Sequence, residues 1–116
     1  ALWGEDYRRT FNGNLAVVAM IETPEGVAAA HEIAAVEGVD VVFAASADLS
    51  SFSGLPKGHP DYEAMVEKIR NATLGAGKRL GGPLAWRGRP GFTFFQGPPE
   101  TALIRGGAAT LDLPSR

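Results

Sequence analysis

Two acids carry the most specific chemical suggestion in this 116-residue chain. Glu22 directly follows the apolar run LAVVAMI at 15–21, and Asp48 comes shortly after a second run, VDVVFAA at 39–45. If both runs are strands and the strands are neighbours, about 4.8 Å apart, the two carboxylates project from one rim. They can then share one hard divalent cation at the roughly 2.0 to 2.6 Å expected for magnesium or calcium. Spacing alone leaves a second reading open, in which Glu22 is an ordinary acid in front of a helix and Asp48 one in a turn. The segment AASADL at 44–49 is small and lets a ligand approach the backbone, where free N–H groups can hold a carboxylate. Small residues also simply finish a strand, and composition does not separate the two.

The remaining reactive side chains are less well placed. His31 falls inside the helix expected after the first strand, away from the strand ends, and reads as a surface histidine. His59 precedes Pro60 and reads as loop. Arg87 and Arg89 flank Gly88 near the expected rim, where they either meet an acidic substrate or stay solvated. Lys57, Lys68 and Lys78 offer no buried strand position for a Schiff base. There is no cysteine, so a disulfide framework, a thiolate zinc site and a cysteine nucleophile are excluded together. Any metal must sit on oxygen or on His31 or His59.

These residues need elements to position them. LAVVAMI is nearly continuous in apolar residues, the pattern of a strand covered on both faces in a parallel sheet. Thr23-Pro24-Glu25 then supplies an N-cap, a first-position proline and a first-turn acid. The spacing predicts a helix with Val27, Ala30 and Ile33 or Ala34 inward, closed by Gly38 before the strand at 39–45. Ser50 to Pro60 is rich in serine, glycine and proline and reads as a loop. Pro60-Asp61 opens the clearest helix, with Tyr62, Met65, Val66, Ile69, Ala72 or Thr73 and Ala76 at helical spacing and Gly77 as its stop. A third strand is expected over 78–84, loosened by Gly81, Gly82 and Pro83. A fourth is expected over 92–95 and a short helix over about 99–109, with Phe92, Phe94 and Phe95 filling core and interface. The ending Leu113-Pro114-Ser115-Arg116 reads as frayed.

Composition bounds the class. The formal net charge is -2, charged residues are 21% and hydrophobic residues 45%, ordinary globular values that exclude a disordered chain. There is no basic field for nucleic acid. No apolar stretch approaches the roughly 20 residues that cross a bilayer, and no signal core stands at the amino end. The chain reads as a soluble, unprocessed, cytoplasmic protein. Alternating strands and helices predict an α/β fold with parallel strands, because parallel neighbours require crossovers. A (β/α)₈ barrel takes about 250 residues, roughly twice what is present, and the chain opens on Ala-Leu-Trp without methionine. Residues 1–116 are therefore expected to be a partial barrel domain whose amino-terminal half is absent.

MIETPEG at 20–26, EIAAVEGVDVVFAASADLSSFSG at 32–54 and GKRLGG at 77–82 resemble the HpcH/HpaI aldolase family, metal-dependent pyruvate aldolases related to the citrate lyase β subunit. The motifs occur in order and at compatible spacing, and the resemblance covers roughly residues 10 to 109. It implies the carboxyl-terminal half of a (β/α)₈ TIM barrel. It also implies that Glu22 and Asp48 are the protein ligands of a divalent ion, magnesium first and manganese or cobalt next, and that the backbone at Ala47 and Asp48 binds the carboxylate of pyruvate. The activity implied is a carbon–carbon lyase, an aldolase or decarboxylase, acting on a 2-keto acid such as pyruvate or oxaloacetate through a metal-bound enolate. A homo-oligomer is implied as well. The alternative is a truncated, non-catalytic half barrel that binds metal and needs a partner to complete the site.

The chain departs from the family in three places. Ala45-Ser46 stands where many members carry Gly-Pro, and Met20 stands where many carry a substrate-contacting glutamine. Only residues 85–91 are available between the third and fourth strands, fewer than the dozen or more a helical crossover uses, so that helix is expected to be missing. The stretch PLAWRGRPGFTFFQGP at 83–98 is similar to the macrophomate synthase branch, which decarboxylates oxaloacetate. The family's catalytic histidine, its acidic partner and its pyruvate-steadying arginine belong to the first half of the barrel. No general base is therefore named in this chain.

Overall fold

The computed structural model describes residues 6–111, so the expected fraying of Leu113 to Arg116 lies outside the described residues. Four strands form one parallel sheet in the order β1-β2-β3-β4: β1 Val18–Ile21, β2 Val41–Ala44, β3 Arg79–Pro83 and β4 Phe92–Gln96. Helices α1 Tyr7–Thr10, α2 Pro24–Ala28, α3 Ala30–Ala35, α4 Ser46–Ser53, α5 Pro60–Gly75 and α6 Glu100–Thr110 complete the elements, with 3₁₀ turns at Asn12–Asn14 and Leu84–Trp86. The strand–helix alternation and parallel pairing match the sequence expectation. No described helix is long and apolar enough to cross a membrane.

Local chemistry explains most of the boundaries. Thr23 Oγ1 accepts the Gly26 N–H at 3.1 Å and Pro24 takes the first helical position, so α2 starts where the cap predicts. Ala29 leaves helical geometry and splits the expected single helix into α2 and α3. Val27, Ala30 and Ala34 are nevertheless all buried, so the stripe survives the break. Gly77, at φ 70°, ends the turn after α5 in the left-handed region that favours glycine.

One face of the sheet is closed by α2, α3 and α5. Ile21, Val42, Ala44, Leu80 and Phe92 pack there against Val27, Ala34, Tyr62, Val66 and Ile69. Complete burial of the Val, Leu, Ile and Phe side chains among them stabilises by about 1.5–3 kcal/mol each. On the other face Phe43 and Val41 are buried, but Val18, Met20 and Phe94 are exposed. LAVVAMI is therefore not covered on both faces as its composition predicts. The strand itself runs from Val18, with the Val17 carbonyl accepting the Val41 N–H at 3.1 Å, and β1 is one edge of the sheet and β4 the other. β2, the strand between β1 and β3, is buried throughout.

The short β3–β4 connection contains no helix, as the residue count requires. The 3₁₀ turn and Trp86 replace it. Trp86 meets Phe92 edge-on at 5.2 Å between centroids, Arg89 lies 4.5 Å over the Trp86 ring, and Arg89 pairs with Glu63 of α5. Arg70 of α5 donates to the Pro90 carbonyl at 3.0 Å. These contacts tie the crossover to the helix layer. Arg89 is thus a structural tether, neither a solvated arginine nor a rim residue free for substrate, whereas Arg87 is exposed. The two glycines of β3 serve opposite faces. A Cβ on Gly81 would lie 2.7 Å from Phe43, and one on Gly82 would lie 2.8 Å from Trp86.

Ser50 to Pro60 is not a loop throughout. Ser46–Ser53 is α4, which anchors Leu49 in the core and ends at Gly54 with φ 69°. Its serines bond back to the chain instead of breaking the helix: Ser53 Oγ donates to the Leu49 carbonyl at 2.6 Å and Ser50 Oγ to the Leu55 carbonyl at 2.7 Å.

Candidate metal centre

The parallel register pairs Ile21 with Ala44, and the Ala45 N–H donates to the Ile21 carbonyl at 3.0 Å. Glu22 therefore leaves the end of β1 beside the point where β2 runs into α4. Asp48 lies in the first turn of α4 rather than in a loop. Both acids stand at the carboxyl ends of adjacent paired strands, the rim on which α/β folds build their sites. Glu22 is half-buried and Asp48 exposed. Among the described residues neither carboxylate accepts a hydrogen bond or joins an ion pair.

The donor set suits a hard cation. Among the described residues no group of three or more His, Asp or Glu side chains gathers to hold a metal. Two carboxylates are what magnesium commonly takes from a protein, with water and substrate oxygens completing its shell. His31, exposed on α3, and His59 contribute nothing there. His59 is the N-cap of α5, its Nδ1 accepting the Asp61 N–H at 3.2 Å, so it is a capping group and more than plain loop.

Beside Asp48 lies a cavity of about 350 Å³, lined by Met20, Phe43, Ala47, Asp48, Lys57 and Gln96 among others. The Ala45 side also reaches it. The N–H groups of Ser46, Ala47 and Asp48 open α4 without a side-chain cap, and no hydrogen bond among the described residues uses them. An anion there meets free donors and the positive end of the helix. The amides at Ala47 and Asp48 belong to a helix start rather than to a finishing strand.

Sequence reasoning did not single out Tyr62 for this site. It is fully buried on α5, and its hydroxyl donates at 3.1 Å to the Ser46 carbonyl, holding the first turn of α4 against α5. Burial raises its pKa, with Glu63 adding to the rise, so the phenol stays a donor at neutral pH. The stripe at 62–76 marks Tyr62 as core, but only the fold shows where its oxygen ends.

The HpcH/HpaI aldolase/citrate lyase family profile matches residues 4–84, and the chain belongs to that family. A hydroxypyruvate/pyruvate aldolase of Delftia acidovorans is 49% identical over 79 residues, covering 66% of this chain and 29% of that protein. A 2-keto-3-deoxy-L-rhamnonate aldolase of Escherichia coli is 35% identical over 85 residues, covering 70% of this chain and 32% of that protein. An HpcH/HpaI aldolase/citrate lyase family protein from Burkholderia cenocepacia superposes with a TM-score of 0.74 at 30% identity, over 92% of this chain and 45% of its own. Macrophomate synthase superposes at 0.68 with 21% identity, a likeness of fold alone. The chain spans about a third of the curated relatives it matches and under half of these solved structures. Its four strands are a partial (β/α)₈ barrel.

Proposed function

We propose that this chain is the metal- and carboxylate-binding, carboxyl-terminal half of a divalent-metal-dependent lyase acting on a 2-keto acid, pyruvate or oxaloacetate. The observation that carries the reading is the placement of two unpaired carboxylates, Glu22 and Asp48, on one rim beside the unused amides of α4. Glu22 and Asp48 would hold the ion, magnesium being the best match to an all-oxygen pair. When bound, the ion supplies Lewis acidity to the keto group. The N–H groups of Ala47 and Asp48 would hold the substrate carboxylate and fix its orientation. Phe43 and Met20 line the apolar side of the pocket, where they keep water from the reacting carbon. Tyr62 keeps the amides in place without touching the ligand.

The names of the relatives, aldolases for pyruvate, hydroxypyruvate and a 2-keto-3-deoxy acid, support a small keto-acid substrate. Neither histidine among the described residues lies on this cavity. That favours a general base supplied from outside the described residues, and it gives weight to the second reading, in which this chain alone binds metal but does no chemistry until a partner completes the site. The bare sheet face and two open edges fit assembly with such a partner, either another part of a barrel or a second copy in a homo-oligomer.

Calorimetric titration with manganese on the parent chain, Glu22→Ala and Asp48→Ala tests the metal pair. Both variants should bind far more weakly than the parent, and equal affinity in all three overturns the reading. For the reaction, a whole protein containing this segment should exchange the methyl protons of pyruvate in deuterated buffer, and exchange should stop on chelation. Exchange that survives complete metal removal excludes the mechanism. The 116-residue chain alone should be slow, since a positioned acid or base is worth about 10² to 10⁴-fold.

A further inference from the structure

Arg89 is not among the residues that line the cavity, yet its contacts lead there. The 84–91 connection folds back on itself, with the Arg87 N–H on the Leu84 carbonyl at 3.0 Å and the Arg89 N–H on the Trp86 carbonyl at 2.8 Å. The Arg89 guanidinium lies 4.5 Å over the Trp86 ring and pairs with Glu63. Trp86 is itself wedged. Its ring meets Phe92 edge-on, and a Cβ on Gly82 would lie 2.8 Å from it. A guanidinium stacked on a held ring loses little further freedom on pairing, so this contact constrains more than a pair of free surface side chains does. Its partner gives it reach, because Glu63 stands in the first turn of α5 next to Tyr62.

Tyr62 carries that turn into the site. Its buried hydroxyl donates to the carbonyl of Ser46, the first residue of α4, and α4 has no side-chain cap of its own. Burial contributes most to the raised pKa of Tyr62; Glu63 raises it further and Arg89 lowers it, so both charges lie close to the phenol. One path of contacts and shared backbone therefore runs from Trp86 through Arg89, Glu63, Tyr62 and Ser46 to the amides of Ala47 and Asp48. We propose that Arg89 is a positioning residue for the site: by pairing with Glu63 it fixes the first turn of α5, and the Tyr62 hydroxyl then keeps the α4 amides aimed at the ligand. This rests on the reading of those amides as the holders of a keto-acid carboxylate, and it adds the residue that governs them from outside the cavity.

Two measurements test it: calorimetry with pyruvate on the magnesium-loaded chain, and ¹H–¹⁵N spectra of the free chain. Arg89→Met should weaken pyruvate by about twofold to fivefold, the size of a partly exposed ion pair, and should move the Ala47 and Asp48 amide signals. Glu63→Gln, a milder change, should reproduce both effects, and Arg89→Lys should recover part of the affinity. In a Tyr62→Phe background Arg89→Met should cost nothing further, since residues acting in one path are not additive. Arg70 supplies the control. Its bond to the Pro90 carbonyl at 3.0 Å ties the same connection to α5 about two turns further along, so Arg70→Met should leave affinity and both signals unchanged. If Arg89→Met has no effect, costs as much without the Tyr62 hydroxyl as with it, or is matched by Arg70→Met, the inference falls while the site reading stands. If the parent binds no pyruvate, the site reading falls, and the Ala47 and Asp48 signals alone decide whether Arg89 positions that turn.

Discussion

The two faces of the sheet divide the protein's work. On one, Ile21, Val42, Ala44, Leu80 and Phe92 are sealed beneath α2, α3 and α5. On the other, Phe43 and Val41 are buried while Met20, Val18 and Phe94 remain exposed, and the candidate cavity opens at the carboxyl end of that same face. The helix-covered face supplies the close-packed interior that holds strands in register. The open face holds the ligand-sized space. Binding residues can therefore be changed at small cost to stability, and core residues cannot.

The largest expected effect is on the covered face. Ile69 is fully buried against the sheet, and Ile69→Ala should destabilise by about 2–5 kcal/mol in urea unfolding. A cost as small as that of an exposed substitution would show that α5 does not carry the core. On the open face, Gly81→Leu should cost about 1–3 kcal/mol by overpacking, because the first added carbon already meets Phe43 at 2.7 Å and Phe94 at 3.1 Å. An unchanged unfolding midpoint would mean that this face yields freely and that the comparison is too sharp.

Tyr62 joins the two regions, a core residue whose oxygen steadies the site. Tyr62→Phe should lose about 0.5–1.5 kcal/mol, measured by denaturant titration near neutral pH. Its raised pKa also sets a sign. Below the ordinary tyrosine value of 10.0 the phenol is neutral in folded and unfolded chains alike, so its contribution is intact. As pH climbs above that value the unfolded chain ionises first, and stability falls until the folded phenol titrates in turn. Tyr62→Phe should remove this alkaline loss. A parent whose stability above pH 10 tracks that of the variant would exclude the mechanism. The smallest effect belongs to Met20, exposed at 55%. Met20→Gln should change stability by under about 0.5 kcal/mol, while altering the keto-acid affinity read by calorimetry.

Much of this was legible in the sequence for definite reasons. Thr23-Pro24 and Pro60-Asp61 mark helix starts because a cap and proline's fixed φ are local matters, and both helices begin there. The short Ala85 to Gly91 connection forbids a helical crossover by chain length alone. Glu22 and Asp48 were legible as strand-end acids because apolar runs and their ends are one-dimensional features. α4 was hidden because serines favour turns when read singly, and only Leu49 anchored in the core with the serines bonded back makes that segment helical. The exposure of LAVVAMI was hidden too, since apolar composition states what a strand can bury, and sheet order decides whether anything covers it.

By itself, then, the sequence determined the four strands, where α2 and α5 begin and which acids follow the first two strands, since each depends on neighbours within a few residues. Tertiary structure alone decided that Ser46 to Asp48 offers free amides, that Tyr62 holds that turn, that Arg89 is spent on Glu63 and Trp86, and that Lys57 lines the same cavity as Asp48. The physical reason is that hydrogen bonds, ion pairs and shared cavities depend on distances in space between residues far apart in the chain, which no local pattern encodes.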